Sequence, residues 1–223
     1  MIDNLFINNS SLLEVESSFF RIAKWLFENV QLQVNENIYR FLDIEFYYFS
    51  KSQFEDIYAH KDKMQLCCGR WYFHGSGIDI TIGDGRNYGG ILLRAISKLS
   101  SSEDEGISLN KNQIHGPWNV KVEICSHLRS VFEDRTNILR LNVKHISEDF
   151  LPMKTPPHII KSKRINLNPV RDIQNKFCNA KYRYVVYPHL KLKDKTVIAK
   201  DMLEQYPELE VSGVNKLLGS KFL

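Results

Sequence analysis

One segment of the chain combines residue types suited to chemistry. Arg40-Phe-Leu-Asp-Ile-Glu45-Phe-Tyr47 opens an aromatic and β-branched run that reaches Phe49, and its composition predicts a long strand over Ile38–Phe49. Alternation along a strand puts Asp43, Glu45 and Tyr47 on one face and Ile44, Phe46 and Tyr48 on the other. A carboxylate beside a phenol among apolar neighbours can have a shifted pKa and act as a general base. The same pattern also describes a polar stripe facing solvent. Other motifs are absent or short. Gly83-Asp-Gly85 is turn chemistry, too brief for a phosphate-cradling loop. The four cysteines, Cys67, Cys68, Cys125 and Cys178, form no Cys-x-x-Cys spacing for structural zinc and no disulfide framework. No Gly-x-Ser-x-Gly elbow supports a serine hydrolase. Cys178 lies in a basic region, where a reactive thiolate or simple packing would each fit.

The elements that must position these residues alternate irregularly. Ser11 and Glu14 have capping-box spacing, and Leu12, Val15, Phe19, Ile22, Ala23, Leu26 and Val30 recur at helical spacing, predicting an amphipathic helix over 11–30. Polar residues from Ser50 to Lys63 predict loop and a short helix. Ile78, Ile80 and Ile82 alternate with Asp79 and Thr81 as in a strand, and Gly90–Ile96 is a short apolar run suited to a buried one. A polar loop is expected over 100–112. Gly116-Pro117 followed by Val120, Ile124 and Leu128 predicts a helix from Pro117 to about Val131. Ile138–Val143 and Tyr182–Tyr187 read as strands, with an irregular passage marked by Pro152, Pro156 and Pro157 between them. Residues from Thr196 onward predict two short helices parted near Pro207. Without regular βαβ alternation, the class expected is α+β: a single domain with a curved antiparallel sheet and flanking helices over 1–189, and a C-terminal helical extension packed on it over 190–223.

Composition bounds the rest. The 223 residues are 43% hydrophobic and 25% charged, which suits a globular core. No apolar run is long enough to span a membrane, and the first eleven residues lack the basic and apolar regions of a leader. Net charge is +4, but Leu151–Lys200 holds twelve Lys/Arg against two Asp/Glu, which points to a basic face for phosphates or to a lysine-rich surface that binds nothing. A monomer in a reducing, cytoplasmic setting is expected, associated with the nucleoid in a bacterium, with no membrane partner.

Four blocks in order resemble the alkyladenine (methylpurine) DNA glycosylase family. They are Arg40–Tyr47; Gly89-Gly-Ile-Leu-Leu-Arg94-Ala95; the Gly116-Pro117 helix start; and Arg164-Ile-Asn-Leu-Asn168 with Ala180-Lys-Tyr-Arg183-Tyr-Val185. They span about Arg40 to Tyr187. The resemblance implies a base-excising enzyme that flips a damaged or modified purine out of DNA and hydrolyses its N-glycosidic bond, with no metal or organic cofactor. It implies Glu45 as the catalytic carboxylate and Arg94 as the group that holds the attacking water, though Arg94 also suits a phosphate clamp or a structural ion pair. Tyr47, His60 and Trp71 would form the base pocket, and His74 the wedge that fills the gap left by the flipped base. Thr81, or Asp79 after a small shift of alignment, would stand where the family has a selectivity asparagine. Lys161, Lys163, Arg164, Lys181 and Arg183 would meet the DNA backbone, on or beside the face that presents Glu45. The resemblance also places Arg40–Phe49, Ile78–Ile82, Gly90–Ile96 and Tyr182–Tyr187 in one sheet. Rivals of other classes are a nucleic-acid-binding module without chemistry and a hydrolase of a free nucleotide-like molecule.

Overall fold

The computed structural model describes residues 2–99, 113–144, 159–174, 176–190 and 192–219. The predicted loop over 100–112 and the three prolines near 152–157 lie outside them. Helix α1 spans Leu12–Asn29, and Ser11 caps it by accepting the Glu14 amide at its side chain, 3.2 Å away. The capping box is half made, because the Glu14 carboxylate accepts from Asn8 instead. Ser11→Ala is expected to cost about 1 kcal/mol, read as a lower urea midpoint at unchanged slope. An unchanged midpoint would show that the cap contributes nothing.

The helix stops where strand β1 (Val30–Val34) begins, with Val30 already extended at φ −129°. Val30, Leu32 and Val34 are fully buried, so the alternating run Val-Gln-Leu-Gln-Val overrides the helical spacing that reached Val30. Asn35 turns the chain at φ 51°, a left-handed conformation that asparagine tolerates, and its side chain is tied to Ile138, His127 and Asn137.

Strand β2 (Asn37–Ser50) is the axis of the fold. The remaining strands are β3 (Phe54–Glu55), β4 (Cys68–Phe73), β5 (Ile78–Ile82), β6 (Tyr88–Lys98), β7 (Gln113–His115), β8 (Leu139–Val143), β9 (Ile160–Ser162) and β10 (Arg183–Val185). All ten belong to one curled antiparallel half-barrel sheet, in the order β4-β5-β6-β2-β1-β8 along its main path. One edge of β2 is lined by β6 over ten residue pairs. Its other edge is shared in succession by β1, by β10 opposite Asp43–Glu45, and by β3. Register slips between Phe41 and Ile44, a bulge in the pairing with β6, while Asp43 and Glu45 keep to one side by strand alternation. The four segments expected to share a sheet therefore do so.

The apolar face of β2 receives α1. Phe19 stacks on Phe46 with ring centroids 4.7 Å apart and meets Tyr48, Phe54 and Tyr182 edge-on. Helix α2 (Pro117–Ser126) buries Val120 and Ile124. It ends sooner than the expected Val131, because Asn137 Oδ1 accepts the Arg129 amide at 2.7 Å and draws the chain off the helical path. Leu128 packs from the turn instead. Helices α3 (Lys195–Gln205) and α4 (Val211–Leu218) place Ile198, Ala199, Met202, Val214 and Leu218 in the same apolar core as the sheet. Buried Asp201 binds α3 to β9, accepting from the Ser162 hydroxyl and the Lys163 amide at 2.7 Å each. The fold is a single-domain α+β architecture. Among the described residues, no helix is long and apolar enough to cross a membrane.

Candidate functional site

The second face of β2 is polar and almost wholly buried. Three carboxylates and three guanidiniums alternate across it. Glu45 is 0% exposed. Its Oε2 accepts from the Tyr47 hydroxyl at 2.8 Å and from Arg94 Nη1 at 3.1 Å, and its Oε1 accepts from the Ile165 amide at 3.0 Å. Arg94 also lies 3.7 Å from Asp43, which receives two hydrogen bonds from Arg183, at 3.0 and 2.8 Å. Arg164 makes a two-pronged pair with Asp56 at 2.6 and 3.1 Å. Its guanidinium carbon lies 4.5 Å from the Tyr47 ring centroid. Sequence distance hides this assembly: β10 brings Arg183 opposite Glu45, and the chain after β9 brings Arg164 and Ile165.

Burial opposes the Arg164 charge, but Asp56, Tyr47 and Glu45 outweigh it and raise its pKa above the usual guanidinium value. Burial, and then the Glu45 charge, hold the Tyr47 phenol well above its ordinary pKa, so Tyr47 stays a neutral donor to Glu45.

Tyr47 is also one wall of a cavity of about 250 Å³. Tyr58, His60, Gln65, His74 and Asp79 form much of the rest, together with Asn166, Leu167, Asn168 and Arg171. Glu45 does not itself line the space and lies behind Tyr47. His74 bridges Ser76 and Asp79, with Nδ1 3.1 Å from the hydroxyl and Nε2 3.1 Å from Oδ1. Gln65 donates to Asp79 Oδ2 at 3.2 Å. Burial, and then the neighbouring His74, lower the His60 pKa and keep that ring neutral at pH 7. The rings of His60 and His74 are 4.6 Å apart, centroid to centroid. Gly90 makes room for the Asp79–Gln65 pair, since a Cβ there would lie 2.5 Å from Asp79 Oδ2 and 2.8 Å from Gln65 Nε2. Gly90→Ala is expected to cost about 1–3 kcal/mol by overpacking, seen as a lower thermal midpoint. A variant as stable as the parent would mean that the pair is not held in this arrangement.

Glu45, Arg94, Tyr47, His60, His74 and Asp79 are thus brought together. Trp71 and Thr81 are not. Trp71 points to a different cavity and donates its indole N–H to the Leu139 carbonyl, while Thr81 is buried and accepts the Arg70 amide. Neither forms part of the base pocket expected of it. Strand register explains Trp71, which pairs with Ile80 and so faces away from the side of Asp79; Thr81 shares the face of Asp79, but β5 runs past the cavity and only Asp79 lines it. His74 is no wedge either, because its side chain is 7% exposed and locked between Asp79 and Ser76. Arg164 and Arg183, expected on a phosphate backbone, are buried in ion pairs. Lys163 and Lys181 face Asp201 and Glu204 of α3, and Lys161 sits over the Phe20 ring. Four of these five expected backbone contacts are therefore paired with carboxylates of the chain itself. Tyr58, Gln65 and Arg171 were not singled out by sequence, since each stands in a polar stretch with no periodic pattern to mark it.

No family model matches the chain. It is 26% identical to an uncharacterized protein of Acanthamoeba polyphaga mimivirus, over a 211-residue alignment that covers 82% of this chain and 92% of the relative. That likeness carries no statement of activity, so the functional reading rests on the geometry. Among the described residues no group of His, Cys, Asp and Glu is arranged to hold a metal ion, and the four cysteines are free thiols.

Proposed function

We propose that this chain hydrolyses the N-glycosidic bond of a damaged or modified purine in DNA. The observation that carries the reading is the bonded trio Glu45–Tyr47–Arg94 standing directly behind a cavity of heterocycle size, walled by Tyr47, His60 and His74. Drug-sized ligands occupy cavities of about 300–1,000 Å³, so 250 Å³ suits one base. Cleavage of the C–N bond sends its electron pair to the base, which takes up a solvent proton at a ring nitrogen, matched by the one that Glu45 later returns to solvent, and leaves an oxocarbenium centre on the sugar. The Glu45 charge supports that centre. Water adds to the sugar carbon and passes its proton to the Tyr47 oxygen as the Tyr47 proton moves to Glu45. A phenol that stays neutral at pH 7 is suited to this relay, and Arg94 keeps Glu45 oriented toward it.

One observation favours a second reading, hydrolysis of a free nucleoside-like molecule. The cavity lining holds one arginine, Arg171, against one carboxylate, Asp79, and two of the expected phosphate ligands are buried. A near-neutral mouth gives a polyanion little steering. The test is release of free base, followed by chromatography, from duplexes carrying hypoxanthine, ethenoadenine, methylated purines or uracil, and from the matching free nucleosides. Release from duplex supports the first reading, and release from nucleosides alone supports the second. Binding of duplex with no release from either would make the chain a binding module. Neither binding nor release would remove the nucleobase account.

A further inference from the structure

The cavity holds a second constellation that the Glu45 trio does not use. Ser76, His74 and Asp79 all line the space, and they are joined in series. The His74 ring lies between the other two, with Nε2 3.1 Å from Asp79 Oδ1 and Nδ1 3.1 Å from the Ser76 hydroxyl. With the ring neutral, these contacts fix where its proton sits. A carboxylate only accepts, so Nε2 carries the proton and donates it to Asp79. Nδ1 is then the acceptor, and the Ser76 hydroxyl donates to it. An imidazole that accepts from a hydroxyl and is oriented by a carboxylate stands to it as base to nucleophile.

The base and the carboxylate are held, and the hydroxyl is open. Asp79 is buried, and its second oxygen accepts from Gln65. The His74 ring stacks on Tyr72, centroids 5.2 Å apart. The turn that carries Ser76 is pinned to α2, because Lys121 donates to the His74 and Gly75 carbonyls at 2.7 and 3.0 Å. The His74 amide donates across the turn to the Gly77 carbonyl at 3.1 Å. A Cβ on Gly77 would lie 2.7 Å from Leu92 Cδ1 and 3.0 Å from Pro117 Cβ, so the turn sits closely against β6 and α2. Ser76 itself is exposed, and a Cβ on Gly75 would meet nothing within 4 Å, which leaves the hydroxyl open to approach. The neutral ring of His60 lines the same space, and its N–H makes no hydrogen bond among the described residues. That donor is free for an oxygen that gains charge beside Ser76.

We infer that Ser76 is a nucleophile activated by His74, and that the cavity hydrolyses esters of small carboxylic acids as a further activity. The inference does not depend on base release, since neither Ser76 nor its base belongs to the Glu45–Tyr47–Arg94 trio. Ser76 Oγ adds to the ester carbonyl carbon and its proton passes to His74 Nδ1. The carbonyl electron pair moves to the oxygen, which accepts from His60. Collapse restores the carbonyl and breaks the bond to the alkoxide, which leaves with the proton from His74. Water then adds to the acyl-serine and gives its proton to His74. The acid departs as His74 returns that proton to Ser76 Oγ. Asp79 is a positioning residue that holds the tautomer with Nδ1 free. Such an assembly is recognised by the role of each group, so a Gly75-Ser76-Gly77 turn can serve where no elbow motif exists. Leu92 and Leu167 give the space aliphatic surface, and about 250 Å³ suits a short acyl chain.

The test gives the full chain nitrophenyl acetate and nitrophenyl butyrate, and separately a fluorophosphonate probe whose site is mapped by peptide mass. The parent should hydrolyse the esters with saturation and carry the probe on Ser76. Ser76→Ala should take no probe and lose at least about a hundredfold in kcat/KM. Its side chain is exposed, so the variant should keep the parental melting temperature. Asp79→Asn, assayed below its own melting temperature, should lose at least about a hundredfold in kcat with KM within a few-fold, because the tautomer is no longer held. His60→Phe should lower kcat by about 10²–10³ through loss of the oxyanion donor. A parent that takes no probe, a probe carried elsewhere, or a Ser76→Ala protein that turns over ester at the parental rate would overturn the proposal. Each of those results leaves the base-release reading as it stands.

Discussion

Asp56→Ala is expected to destabilise the protein by about 3–5 kcal/mol. Asp56 and Arg164 are both buried, and among the described residues the guanidinium has no other carboxylate within 4.0 Å. Its remaining hydrogen bonds go to the Phe46 and Phe177 carbonyls, which carry no charge. Removing Asp56 leaves a buried cation among Tyr47, Tyr58 and Tyr182 with no paired carboxylate, only the more distant charge of Glu45. Replacing both partners, Asp56→Leu with Arg164→Met, should recover most of that loss, because the cost lies in the stranded charge more than in the lost attraction. Urea unfolding of the two single variants and the double variant reads the cycle. A loss under 1 kcal/mol for Asp56→Ala would mean that Arg164 reaches water in solution and that the buried network is not closed as described.

The sequence made one face of β2 legible and left the other half-read. Alternation alone placed Asp43, Glu45 and Tyr47 together and set Phe46 toward α1, because the side-chain period of a strand is strict. It could not show whether that polar face meets water or is sealed, since sealing depends on β10 and the chain after β9, more than a hundred residues away. Arg164 and Arg183 illustrate the same limit. A local excess of arginine and lysine looks identical whether the cations face solvent or answer buried carboxylates elsewhere in the chain. Strand β1 was lost to the helical spacing of α1, where Val30 satisfies both periods. Strand β9 and the short helical turn at Pro169–Arg171 carry too few residues for any period to register. The resemblance casts Trp71 and His74 as pocket and wedge, but the direction of a side chain on a hairpin depends on register, and the register slips between Cys68 and Trp71.

Glu45→Gln is the substitution with the largest expected effect on chemistry. Glutamine retains one acceptor but replaces the other with an amide N–H. The donors Tyr47, Arg94 and Ile165 now converge on the carboxylate, so one contact becomes donor against donor unless the Tyr47 hydroxyl turns to accept. Some stability is lost, and the melting temperature of each variant must be recorded so that reactions are run well below it. Asp43 lies close enough to Arg94 to limit the stranding of its charge. The chemical loss should be larger. Without the carboxylate the oxocarbenium centre has no counter-charge and the water proton no acceptor, and loss of a general base alone is worth about 10²–10⁴ in rate.

The most direct measurement is single-turnover base release by the parent and by Glu45→Gln, at saturating protein, on whichever duplex or nucleoside the parent cleaves, with the affinity of both proteins for that substrate determined alongside. The account predicts a folded variant that binds within a few-fold of the parent and releases base at least about a hundredfold more slowly. A folded Glu45→Gln protein that releases base at the parental rate would contradict the assignment of Glu45 as the catalytic carboxylate.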